Sequence, residues 1–246
     1  MNSLSKNDHF SKKIMGFNLF YGKLPFIDRK KEIIVNTINA YSTVLSNKDE
    51  KFKSALNKSD ILLPDGVSMV IAARFLANKK IKKIAGMDAF NHYLNEIKRI
   101  GGSCFFLGSN SSTLSKIQLK LERKIPGIRV GVYSPPYKNN FSYQDNYQML
   151  YAINSFKPDV LFVGMTAPKQ EKWVFENKDN LRIPVICSIG AVFDYYAENI
   201  IRAPKFARDM GFEWFWRLLK EPKRTWKRYL IGNTQFLILL IKHKFS

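Results

Sequence analysis

The chain has little cysteine, little histidine and no long apolar run. Its two cysteines, Cys104 and Cys187, sit inside SCFFLG and PVICSIG, runs with the composition of buried strands, and neither a disulfide framework nor metal-ligand spacing is present. The three histidines, His9, His92 and His243, are scattered, which argues against a metal centre or a histidine-based triad. No stretch approaches the roughly eighteen apolar residues of a spanning helix, and the start MNSLSKNDHFSKK lacks the apolar centre of a signal peptide. The expectation is a cytoplasmic chain that touches a membrane from its inner face at most. Acidic residues are also few. Twenty Asp and Glu stand against forty Lys and Arg, a formal net charge of +20, and a field of that sign attracts nucleic acid, anionic lipid or diphosphate substrates without choosing among them.

What is present is enough apolar sequence, 46% of 246 residues, for one large α/β domain with or without an appendage. From about residue 59 to 190, short apolar runs alternate with amphipathic segments: SDILLPDG then VSMVIAARFLA, SCFFLGS then STLSKIQLKLERK, PDVLFVGM then KQEKWVFENK, and finally IPVICSIG. That alternation predicts a Rossmann-like α/β fold, a mostly parallel sheet flanked by helices. Ligands of such sheets bind beyond the carboxyl ends of the strands. The candidate positions are therefore Thr37 and Asn39; Pro64, Asp65 and Gly66; Gly108 and Ser109; Ser134 through Tyr137, opening the polar loop SPPYKNNFSYQD; Gly164 through Gln170; and Gly190 through Asp194. After Ile200 the composition shifts. Residues 201–246 hold eleven Lys or Arg, three Asp or Glu and nine aromatics, so a core of 1–200 and a basic, aromatic, helical appendage of 201–246 are expected.

Three stretches carry chemistry. In NTINAYS, Thr37 and Asn39 are two apart and share a face of an extended chain, though a polar strand end entering a turn has the same look. In LLPDGVSMV, Asp65 falls between strand and helix before a glycine that lets a ligand approach; helix capping and general-base chemistry are compatible readings, and a capped carboxylate stays ionised near neutral pH. In GMTAPKQEKW, Pro168 falls near a first helical turn whose free N–H groups can face an anion, with Gln170 and Glu171 pointing from that turn; an ordinary solvated helix start is the simpler explanation of the same residues. GxGxxG, GxxxxGKS and HExxH are all missing.

Together these segments resemble the WecG/TagA/CpsF glycosyltransferases. The resemblance is carried by Thr37 and Asn39 in NTIN, by DILLPDG, KIAGMD, FFLGS, PDVLFVGMTAPKQEKW, SIGAVFDYYAENIIRAP and GFEWFWRLLKEPKRTWKRYL, in an order that covers nearly the whole chain. It implies transfer of a sugar, of the N-acetylmannosamine type, from a UDP-sugar onto a polyprenyl-diphosphate-linked sugar in cell-surface polysaccharide synthesis. Asp65 becomes the catalytic base, Thr37 and Asn39 hold donor sugar or acceptor hydroxyl, and Lys83 and Gln170 complete the catalytic set. Lys83 stands where many relatives have arginine, and Glu198 where glycine is common. The nucleotide would meet Gly108, Ser109, Tyr137, Gly164, Pro168, Glu171, Gly190 and Asp194.

The resemblance further implies an inverting reaction without a metal, and no DxD pair is present to hold one. The positive charge for the departing diphosphate then falls to Arg217, Arg224 and Arg228, whose neighbours Trp214, Trp216, Trp226 and Tyr229 suit an anionic membrane surface. The run QFLILLIK is too short to span but long enough to lie in the headgroup region. Self-association is compatible with the sequence. A basic nucleic-acid-binding protein and a non-catalytic membrane scaffold are the rival classes; both leave Asp65, Thr37 and Gln170 without a role, and no RRM, KH or helix-turn-helix pattern supports the first.

Overall fold

The structure, a computed structural model, describes residues 10–245, so His9 lies outside the described residues. A hairpin of β1 (Ser11–Ile14) and β2 (Phe17–Phe20), turning through Met15 and Gly16 at positive φ, opens the chain. The apolar runs then become parallel strands: β3 (Ile33–Ile38), β4 (Ile61–Pro64), β5 (Ser103–Gly108), β6 (Arg129–Tyr133), β7 (Val160–Gly164) and β8 (Val185–Ser188). Among the described residues they form one eight-stranded sheet in the order β1-β2-β4-β3-β8-β7-β5-β6, antiparallel only within the hairpin. The predicted Rossmann-like α/β fold is what the chain adopts.

The strands lack polar alternation because both sheet faces are covered. Cys104, Phe106 and Phe162 point to one face, where α4 (Gly86–Ile100), α5 (Ser111–Lys124) and α8 (Val192–Tyr196) cover them. Phe105, Leu107 and Leu161 point to the other, under α6 (Tyr143–Phe156) and α7 (Lys169–Asn177). Ile38 and Leu62 continue that second face beneath α1 (Ala40–Ser46), α2 (Glu50–Asn57) and α3 (Val67–Ala77). Strands β3 and β8 are neighbours, yet α1 follows β3 on one face and α8 follows β8 on the other. This change of winding opens a crevice at their carboxyl ends, where open α/β sheets bind ligands.

Past Ile200 the chain forms α9 (Lys205–Asp209), α10 (Glu213–Lys220), α11 (Pro222–Trp226), a π-helical turn over Lys227–Ile231, and α12 (Gly232–Phe245). Helix α12 packs on α1 and α3 and buries Phe236 and Leu240 in their apolar cluster. Each such side chain contributes about 2–3 kcal/mol, so the tail is tied to the core by packing. QFLILLIK lies in α12, with Leu237, Ile238 and Ile241 left exposed. No helix of the described residues is long and apolar enough to cross a membrane. Glu198 adopts φ 59°, the left-handed region that favours glycine, and its carboxylate pairs with Lys120.

Candidate active site

A cavity of about 620 Å³ opens at the carboxyl ends of β3, β4, β7 and β8, within the range of small-molecule sites. Thr37, at the end of β3, and Asn39, just beyond it, both line it. Asn39 is also the N-cap of α1, its Oδ1 accepting from the Ser42 N–H at 3.1 Å, so the turn-forming and the site-facing explanations hold together. Asp65, Lys83, Ser109, Gly164, Gln170, Glu171, Gly190, Asp194, Arg217 and Arg228 reach the same wall.

Asp65 is not the cap of α3. Gly66, at φ 113°, takes the cap position, and no side chain caps that helix. The Asp65 carboxyl is pushed up to about 6 by burial first and by the charge of Glu213 second, against Arg228, Lys83 and Arg202, which pull it down. The expectation that Asp65 caps the helix is thus corrected, and its carboxyl is raised because removal from water and the Glu213 charge outweigh three cations. A carboxylate near 6 is ionised at neutral pH and basic enough to share a proton with a hydroxyl in a transition state.

Gln170 and Glu171 start α7, but they do not project into solvent. They are only 3% and 2% exposed, with Gln170 Nε2 donating to Glu171 Oε1 at 2.8 Å. Burial pushes the Glu171 carboxyl up to about 7, while the Gln170 hydrogen bond and the Arg228 charge draw it down. Gly190 borders the pair, a Cβ built there lying in ordinary contact 3.4 Å from Gln170 Oε1, and its φ of 51° is the left-handed conformation that favours glycine.

The opposite wall comes from residues after Ile200. Arg202 Nε donates to Glu213 Oε1 at 3.0 Å, and Lys83 Nζ lies 3.7 Å from Glu213 Oε2 while donating to the Arg208 carbonyl at 3.1 Å. Arg217 lies over the Tyr195 ring, 5.7 Å from its centroid, and 3.6 Å from Glu221 Oε1. Arg228, in the π-helical turn, stacks on Tyr41 at 5.0 Å, and its Nε has no hydrogen-bond partner among the described residues. Stacking fixes the planes of these guanidinium groups and leaves N–H groups for an anion.

Three expected contacts fall elsewhere. Tyr137 is fully exposed and does not line the cavity. Gly108 lies beneath the wall: a Cβ on it would come within 2.5 Å of the Gly164 carbonyl, so its role is the close approach of β5 to β7. Pro168 caps α7, while Thr166 and Ala167 before it meet the cavity. The side chain of Arg224 lies outside the described residues. Arg202, Glu213, Trp214 and Tyr229 line the cavity without having been singled out for it. The cluster of basic and aromatic residues after Ile200 was the available signal.

The model of the glycosyl transferase WecG/TagA/CpsF family matches residues 23–246. A Bacillus subtilis protein named N-acetylglucosaminyldiphosphoundecaprenol N-acetyl-beta-D-mannosaminyltransferase is 29% identical over 219 residues, 89% of this chain and 83% of its own. Proteins of the same name from Bacillus spizizenii and Staphylococcus aureus strain MW2 are 26% and 24% identical, the alignments covering 89% and 86% of this chain and 82% of each relative.

Proposed function

The chain belongs to the glycosyl transferase WecG/TagA/CpsF family, and on that premise we propose that it transfers N-acetylmannosamine from a UDP-activated donor to N-acetylglucosamine on a membrane polyprenyl diphosphate. The activity for which the relatives are named supports the sugar and the acceptor. The observation that carries the reading is Asp65: a carboxyl pushed up to about 6, beside four cations, Lys83, Arg202, Arg217 and Arg228, in one cavity.

In the proposed reaction the acceptor hydroxyl oxygen attacks the anomeric carbon of the donor. Asp65 takes the hydroxyl proton, the new C–O bond forms as the bond to the diphosphate breaks, and UDP leaves with that electron pair. Attack opposite the leaving group inverts the anomeric centre. Thr37 and Asn39 hold sugar or acceptor hydroxyls, Asn39 through its amide N–H groups because its carbonyl oxygen caps α1. Arg217 and Arg228 supply charge-assisted hydrogen bonds to the departing diphosphate without a metal. The family member then works at the inner face of the cell membrane, where its acceptor resides.

The test is UDP release across a panel of UDP-sugars, with a short-chain polyprenyl-diphosphate-linked N-acetylglucosamine in detergent. Acceptor-dependent release from UDP-N-acetylmannosamine is expected. Preference for another sugar refutes the donor, and no acceptor-dependent release from any of them refutes the reaction.

A further inference from the structure

Helices α3 and α12 both begin at the cavity and run away from it together. Val67 and Ile71 on α3, and Asn233, Thr234 and Leu237 on α12, line the cavity. At the far end Lys244 Nζ donates to the Phe75 carbonyl at 3.2 Å and lies over its ring, so the two helices also end side by side.

Each helix shows a partly exposed apolar stripe. Val67, Ile71 and Phe75 are one turn apart, and they are 37%, 51% and 44% exposed. Leu237 and Ile241 on α12 are spaced the same way, at 55% and 54%. Four residues of helix, from Ile71 to Phe75 and from Leu237 to Ile241, carry the stripe as a track about 6 Å beyond the cavity wall. The near end is polar and cationic, with Arg217 and Arg228 in the wall; beyond it Phe75 and Ile241 continue the apolar surface, with Lys244 at its far edge.

We propose that this track binds the isoprenoid chain of the acceptor, with the diphosphate at Arg217 and Arg228 and the first isoprene units lying between α3 and α12. The proposal rests on the acceptor named in the preceding reading. Continuity decides the occupant: the stripe starts in the cavity wall, at Ile71 and Leu237, so a single chain leaving a diphosphate held in that cavity passes directly onto it. Cations followed at once by apolar surface match a ligand with an anionic head and a hydrocarbon tail, and a nucleotide offers no such tail.

Isothermal titration of the full chain with isopentenyl diphosphate and farnesyl diphosphate, below the micellar range, separates head from tail. Wild type should bind the farnesyl compound at least about tenfold more tightly, because two further isoprene units are removed from water. The double variant Phe75→Ser, Ile241→Ser, whose side chains lie beyond the cavity, should keep its affinity for isopentenyl diphosphate and lose most of that ratio. Equal affinities in wild type, or an unchanged ratio in the variant, overturn the proposal. An unchanged ratio with weaker sedimentation on phosphatidylglycerol vesicles assigns the stripe to the bilayer surface instead. No sugar is transferred in this titration, so the farnesyl preference can stand where the transfer assay fails, and the reverse.

Discussion

Lys83 Nζ lies 3.7 Å from the Glu213 carboxylate, and both side chains are about a quarter exposed. The lysine of the expected catalytic set is therefore already engaged with α10, and it acts on Asp65 from there. Glu213 raises the Asp65 carboxyl and Lys83 lowers it. Replacing each should move the acid side of the kcat/KM profile in opposite directions: down in pH for Glu213→Gln, up for Lys83→Met, each on the order of half a pH unit. Shifts of the same sign, or none, contradict this electrostatic account.

Asp65→Asn should lower kcat by about 10²-fold or more, the usual cost of a lost general base. It should also stabilise the fold, for a reason of sign. The folded carboxyl titrates near 6 and the ordinary one near 3.8, so burial disfavours its ionised form. Native stability falls as pH rises between those values, and the loss is complete above the higher one. The variant should melt above wild type at pH near 8 and level with it near pH 4. Thermal melts at both pH values check this; a variant less stable than wild type at the higher pH would contradict it.

Gln170→Ala removes a buried amide and leaves Glu171 without its hydrogen bond. The cost should be about 1–3 kcal/mol in denaturant unfolding, with a lower kcat/KM for the donor. Loss of stability alone, with donor kinetics intact, would make the pair a packing device only.

The tail should resist clean removal. Phe236 and Leu240 close the cluster over α1 and α3, so Phe236→Ala should destabilise by about 3 kcal/mol or more. Deleting 201–246 strips that cover and should lower Tm as well as activity, so point variants separate the roles of the tail more cleanly. Arg228→Ala and Arg217→Ala should reduce turnover in detergent, whereas Trp226→Ala, with its ring 43% exposed, should mainly weaken vesicle sedimentation. A truncated chain with wild-type Tm would contradict the packing argument.

The sheet was legible because parallel strands buried on both faces read as unbroken apolar runs, as in SCFFLG and DVLFVG. The crevice followed, since Thr37, Asp65 and Gly190 come directly after such runs. Arg202 and Glu213 were not legible as site residues: Glu213 pairs with both Arg202 and the distant Lys83, and no local period records a tertiary ion pair. Tyr137 was misplaced because a loop position after a strand does not fix which way its side chain turns. Gln170 was misread as exposed because a helix start looks solvated in sequence, while here the residue is buried beside Glu171 and Gly190 in the wall of the crevice.

The most direct test of Asp65 as the base of sugar transfer is kcat/KM for acceptor-dependent UDP release between about pH 5 and 8, for wild type and Asp65→Asn. Wild type should rise through a pH near 6 and then level, the ionisation expected of Asp65. The variant should fall about 10²-fold or more below it and lose that rise. A variant with near-wild-type rates and the same acid limb would contradict the account.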